Sequence, residues 1–180
     1  MLQHFRARRA EMDEEAHALD EIHDEPCVTP DGHRVELGAN IELPGEVEQV
    51  LAAGADSVGL FRTEFFYLNR LELPTEEEQY QAYKDVAERM GQRPVIFRTM
   101  DLGGDKVASY LGMTHETNPF LGWRGIRFAL HHPDVFRTQI RAILRASIGL
   151  DNLQILLPMI STVGEVDEAL LLIHRAHEEL

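Results

Sequence analysis

Cysteine occurs once in the 180 residues, at Cys27. A single thiol excludes an internal disulfide and, alone, a thiolate zinc site, so Cys27 reads as a structural thiol in a reducing compartment. Long hydrophobic runs are missing as well. No apolar stretch approaches the roughly 20 residues that a membrane span needs, and the opening MLQHFRARRAEMDEEAHALDEIHDE is too charged for a signal peptide. These two absences point to the cytoplasm and away from a membrane. Positive charge is scarce: 17 Lys and Arg stand against 31 Asp and Glu, a net charge of −14 at pH 7. Such a surface repels a phosphate backbone, which argues against nucleic acid and gives each arginine individual weight. Much of the acid lies in two runs, EMDEEAHALDEIHDE and TEEEQ, which read as solvated helix faces or first turns. The Gly-rich fingerprint of a dinucleotide fold does not follow the first strand. GGDK at 103–106 lacks the outer glycine and the Ser/Thr of a P-loop and reads as a flexible turn.

What is present is a core and an alternation. At 44% hydrophobic residues the chain can bury an interior within the usual size of one domain. Residues 1–25 read as a charged helical leader with few apolar positions, broken by DEPCVTPDG; residues 26–180 form the folded part. There HRVELGANI, SVGLF, PVIFR and LQILLPM read as strands, and PGEVEQVLAAG, PTEEEQYQAYKDVAERMG, PDVFRTQIRAILRAS and TVGEVDEALLLIHRAHEEL as helices. Short apolar strands alternating with amphipathic helices predict a parallel α/β sheet, doubly wound or closed into a barrel.

The arginines favour the barrel. Arg62 closes the second predicted strand and Arg98 the third, so both project from the carboxyl-terminal rim, where barrel enzymes place their chemistry. A guanidinium is charged at all ordinary pH and tolerates burial only with a partner. Glu64 and Asp101 follow closely, so two readings stand: a pair of rim salt bridges, or a site for an arriving anion.

Longer motifs narrow the choice. GLFRTEFFYLNR with LPTEEEQYQAYK, then FRTMDLGGDK, NPFLGWRGIR, FRTQIRAILRAS and ILLPMI, in this order and spacing, resemble the phosphoenolpyruvate-binding domain of the Enzyme I family of phosphoenolpyruvate-protein phosphotransferases. The resemblance runs from about Pro26 to Leu180 and does not separate the sugar branch from the nitrogen-related one. It implies a (β/α)8 TIM-type barrel that binds phosphoenolpyruvate with Mg2+. The phosphoryl group would pass to a histidine on a separate domain and then to the phosphocarrier protein HPr or its nitrogen-related counterpart, the full-length enzyme being a homodimer. Carried over by motif, Arg62 and Arg98 would bind the substrate's phosphate, and Arg124 in GWRGIR would be a further candidate, its alternative being a salt bridge pinning a loop. No stretch resembles the phosphorylated-histidine motif. The family's magnesium-binding Glu and Asp and its proton-donating cysteine would fall beyond Leu180, so no catalytic or metal-ligating residue is expected in this chain.

Size agrees. A closed barrel takes about 250 residues and eight strands, and four strands are read here, so the expectation is half a barrel, about four βα units behind a helical leader. The chain then reads as part of an Enzyme I-type phosphotransferase, inactive alone. Two other readings remain: a noncatalytic regulatory half-barrel, and a 2-oxo acid lyase on the same scaffold.

Overall fold

The computed structural model describes residues 2–22, 25–68, 70–102 and 122–180; GGDK, at 103–106, lies outside them. The first element is α1 (Leu2–Glu21). A four-stranded sheet follows, built from β1 (Gly38–Ile41), β2 (Ser57–Arg62), β3 (Val95–Arg98) and β4 (Leu153–Leu156), all neighbours parallel and in the order β1-β2-β3-β4. Helices α2 (Val47–Ala52), α3 (Glu76–Met90), α4 (Ile126–His131), α5 (Pro133–Ala146) and α6 (Val163–Glu178) make up the rest. In a doubly wound sheet the strand order reverses at a switch point; here each strand is laid beside the previous one without reversal, as in the wall of a barrel. The architecture is a partial TIM-type barrel.

Local chemistry sets the element ends. Thr75 caps α3: its hydroxyl accepts from the Glu78 N–H, while the Glu78 carboxylate reaches back to the Thr75 N–H at 2.8 Å. Glu76 and Glu77 join Glu78 in the first turn, where the helix dipole favours negative charge, and Gly91 at φ 63° ends the helix. Thr162 and Glu165 cap α6 in the same way.

The core lies on one face of the sheet. Val58 and Phe61 of β2, Val95 and Phe97 of β3, and Tyr83, Val86 and Met90 of α3 pack into one buried cluster with Ala142, Ile143 and Ala146 of α5. Because side chains alternate along a strand, the neighbours Arg62 and Arg98 stand on the opposite face. That opposite face also carries a tight contact between the first two strands: a Cβ placed on Gly38 would lie 2.9 Å from the Gly59 Cα.

Outside, α5 is tied to its neighbours by arginines. Arg141 Nε and Arg145 Nη1 donate to the two oxygens of Glu76, at 2.8 and 2.7 Å, and Arg145 also reaches Glu77. Arg137 and Arg141 reach Glu179, just past α6.

Three expectations are corrected. The first strand does not cover HRVELGANI but begins at Gly38, because Leu37 N–H is taken by the Asp56 carboxylate at 2.8 Å and Arg34 makes only an isolated bridge to Val28. Pairing starts where the two glycines let the backbones approach. The helix read over PGEVEQVLAAG opens as a 3-10 turn, Pro44–Glu46, before α2. A separate short helix, α4, precedes α5, parted from it by Pro133, which cannot continue the hydrogen-bonding of the preceding turn.

Candidate active site

Register brings the predicted arginines together. Arg62 and Arg98 are Cα partners in the β2–β3 ladder, at the last rung of each strand, so their side chains leave the same face of the same rim. Each meets a carboxylate, and one is not the expected partner. Arg62 pairs with Glu42, the residue after β1, and Glu64 pairs with Arg98 instead. The reason is lateral. Adjacent strand ends lie about 4.8 Å apart, so Glu42 stands beside Arg62, while the 3-10 turn Thr63–Phe66 carries Glu64 sideways under β3. Glu64 is fully buried and the Arg98 side chain is 17% exposed, whereas Arg62 and Glu42 are about one-third exposed.

Arg124 joins the same line of charge. Its Nε and Nη2 donate to the two oxygens of Asp101, at 3.0 and 2.9 Å, in the bidentate geometry that favours arginine over lysine. Asp101 also lies 3.4 Å from Arg98 Nη1. The salt bridge set as the alternative for Arg124 is therefore present. Gly125, at φ 57°, places the turn: a Cβ there would lie 3.0 Å from Pro158 O, the same carbonyl that accepts from Ile126 N–H at the rim end of β4.

The rim thus alternates Glu42, Arg62, Glu64, Arg98, Asp101 and Arg124, three carboxylates with three guanidiniums. Glu42 was missed by sequence reasoning. Its signal was there: it follows the end of β1 as the arginines close β2 and β3. Glu46 holds it in place, its carboxylate accepting from the N–H groups of Glu42 and Leu43 at 2.7 and 2.8 Å. Those two bonds, with a smaller contribution from the Arg62 charge, keep the Glu46 carboxyl below its ordinary range.

Two of the guanidiniums are not saturated. Arg62 Nε and Arg98 Nε are buried and have no hydrogen-bond partner among the described residues. A buried donor left unmet costs about 1–3 kcal/mol, and two of them at one rim call for an acceptor.

Beneath the rim lies a buried polar chain. Thr63 and Gln139 are fully buried. The Thr63 hydroxyl donates to the Arg98 carbonyl at 2.6 Å, and Gln139 Nε2 donates to Thr63 Oγ1 at 2.8 Å and to the Tyr83 hydroxyl at 3.2 Å. Gln139 Oε1 accepts from Met100 N–H at 2.8 Å. Burial pushes the Tyr83 hydroxyl well above its ordinary pKa, so it serves as a neutral hydrogen-bonding group.

The rim carboxylates do not fit a magnesium centre. Each is engaged by a guanidinium, and among the described residues no group of three His, Cys, Asp or Glu is placed to hold a metal ion.

Comparison with known proteins meets this geometry from another side. Residues 16–180 match the family model described as PEP-utilising enzyme, PEP-binding domain. The phosphoenolpyruvate-protein phosphotransferase of Bacillus subtilis (strain 168) is 53% identical over 156 residues, covering 87% of this chain and 27% of the relative. The protein of that name from Bacillus sp. (strain S) is 48% identical over 94% of this chain and 29% of its own length. The one from Staphylococcus carnosus (strain TM300) is 44% identical over 98% and 30%. The chain therefore spans less than a third of the curated relatives it matches.

Proposed function

Since this chain belongs to the PEP-utilising enzymes, matched through their PEP-binding domain, we propose that its rim binds phosphoenolpyruvate for phosphoryl transfer, with Arg62 and Arg98 on the phosphate. The observation that carries the reading is the pair of orphaned, buried Nε donors on two guanidiniums held in register at one strand-end rim. A phosphoryl group spreads charge over its oxygens as it transfers, and fixed planar donors stabilise that charge without reorganising. Arg124, locked on Asp101, is assigned the outer wall of the same site, where it would meet the substrate only by exchanging its carboxylate for the ligand's.

The rest of the reading concerns the whole phosphotransferase. The phosphoryl group would pass to a histidine on a separate domain and on to the phosphocarrier protein HPr or its nitrogen-related counterpart, in a cytoplasmic homodimer serving sugar uptake or its nitrogen-related branch. Among the described residues no helix is long and apolar enough to cross a membrane, which agrees with that setting. Magnesium is proposed for the whole enzyme, with its ligation assigned to none of the carboxylates described here.

Three carboxylates already balance the three arginines, so the trianionic substrate has to compete with them, and binding without a bridging cation is weak and falls with salt. Titration calorimetry of the 180-residue chain with phosphoenolpyruvate tests this. The expected result is salt-sensitive binding that Arg62→Ala and Arg98→Ala each abolish. Binding that survives both substitutions, or none detectable at low salt, overturns it.

A further inference from the structure

We infer that Gln139 is a positioning residue for this site: its buried side-chain amide ties the strand ends that carry Arg62 and Arg98 into one rigid rung. The inference rests on the reading of the rim as a phosphate site and adds to it a residue on a helix outside the rim. Beyond the last ladder pair, Arg62↔Arg98, the chain after β2 enters the 3-10 turn Thr63–Phe66, while the chain after β3 stays on β4, Thr99 N–H donating to Leu156 O at 2.9 Å. Among the described residues no backbone bond joins these two stretches to each other past that pair. The link is made by side chains. From the Arg98 carbonyl it runs to the Thr63 hydroxyl, through the Gln139 amide, and back to Met100 N–H, in three bonds of 2.6 to 2.8 Å. Thr63 adjoins Arg62 and Met100 lies two residues past Arg98, so the circuit encloses the backbone at the root of both guanidiniums.

An amide is the group this circuit requires. Thr63 spends its one proton on the Arg98 carbonyl and can only accept from Gln139, while Met100 N–H can only donate. The side chain between them must present a donor and an acceptor at once from a site with no water access. A carboxylate supplies only acceptors, a lysine only donors, and leucine neither. Gln139 is 0% exposed, and outside the circuit the polar group it meets is the Tyr83 hydroxyl at 3.2 Å, which already donates to Gln79 Oε1. The neighbours of Gln139 on its face of α5, Phe136, Ile140 and Ile143, are buried and apolar.

The test compares Gln139→Leu and Gln139→Glu with Asn152→Ala as a control. Asn152 is likewise a buried amide, but it binds Ala87 O and Arg93 O at the other end of the sheet. Phosphoenolpyruvate affinity is measured by calorimetry, folding by circular dichroism and thermal unfolding, and the Arg62 and Arg98 Nε–H signals by 15N NMR without ligand. Gln139→Leu is expected to weaken binding about 10- to 100-fold, since small displacements of positioned groups carry penalties of that order. Its arginine signals should broaden or split, whereas Asn152→Ala lowers stability and leaves affinity and signals unchanged.

Gln139→Glu adds a pH signature. A neutral carboxylic acid can donate to Thr63 and accept from Met100 as the amide does, and burial favours that neutral form. The affinity ratio of this variant to the wild type should recover as pH is lowered from about 8 to about 5, which a purely structural role does not predict. Wild-type affinity in a folded Gln139→Leu variant, or equal loss in Asn152→Ala, overturns the inference. A wild type that fails to bind phosphoenolpyruvate refutes the substrate reading alone, and the arginine signals then decide the positioning role by themselves.

Discussion

Replacing Arg98 by methionine removes a cation bonded to a fully buried carboxylate. Methionine keeps most of the aliphatic volume, so the change isolates charge from packing. Glu64 is 0% exposed and Arg98 only 17%, so water cannot take over the lost interaction. Breaking a buried pair from one side costs about 3–5 kcal/mol, because the remaining charge stays desolvated. Against a total stability of about 5–15 kcal/mol this is a large fraction, and for a chain of this size it lowers the melting temperature by roughly 6–20 °C. The carboxylate itself is the source of the penalty, so adding Glu64→Gln should restore part of the loss. Urea unfolding of the wild type, both single variants and the double variant closes the cycle, with an expected coupling of more than about 2 kcal/mol. An Arg98→Met variant within about 1 kcal/mol of the wild type, together with additive single effects, would refute the claim that this pair lies in a low-dielectric interior.

Arg62→Ala should cost less than about 1 kcal/mol in urea unfolding, since the Arg62–Glu42 pair is about one-third exposed, yet it should abolish phosphoenolpyruvate binding in calorimetry; a large stability loss would contradict this separation. Hydrogen bonds from Arg70 and then from the Thr75 N–H hold the Glu78 carboxyl down to about 2 from its ordinary 4.5. Its contribution is complete above 4.5 and is lost as pH falls through about 2, so Glu78→Gln should flatten the acid limb of the melting curve, and parallel limbs would sink the assignment. Gly38→Ala forces a methyl to 2.9 Å from the Gly59 Cα and should cost about 1–3 kcal/mol. Gly45→Ala meets nothing within 4 Å and should be neutral, so comparable denaturant midpoints for the two would remove the close approach as an explanation.

The sheet was legible because its strands are short apolar runs closed by charge: SVGLF is followed by Arg62 and PVIFR ends on Arg98, and their common rim follows from parallel order alone. The first strand was overread because HRVEL alternates as a strand does, while Val35 N–H bonds Cys27 O and Leu37 N–H bonds the Asp56 carboxylate, partners that no local pattern reveals. The partners of the arginines were hidden for a related reason. Glu64 is two residues from Arg62 in the chain yet bonds Arg98, and Glu42 is twenty residues away yet bonds Arg62, because lateral neighbours in a sheet are set by strand stacking. Gln139 carried a fainter signal: it is the polar residue on the face defined by Phe136, Ile140 and Ile143, out of place in an otherwise apolar stripe.

A helix laid on a sheet through apolar side chains can roll about its own axis, since one apolar contact exchanges for another with little change in buried area. The outer arginines deny α5 that freedom. Arg137, Arg141 and Arg145 recur every four residues and form one stripe, anchored to Glu76 and Glu77 on one side and to Glu179 on the other. A shift of one residue would turn the stripe by about 100° and detach all three side chains together. The azimuth of α5 is thus set from the solvent side by ionic contacts, while what depends on that azimuth lies inside: the direction in which the amide two residues from Arg141 points. Surface charge on this helix acts as a bearing that aims a buried group, which gives the acids at the start of α3 a part in the geometry of a rim they never touch.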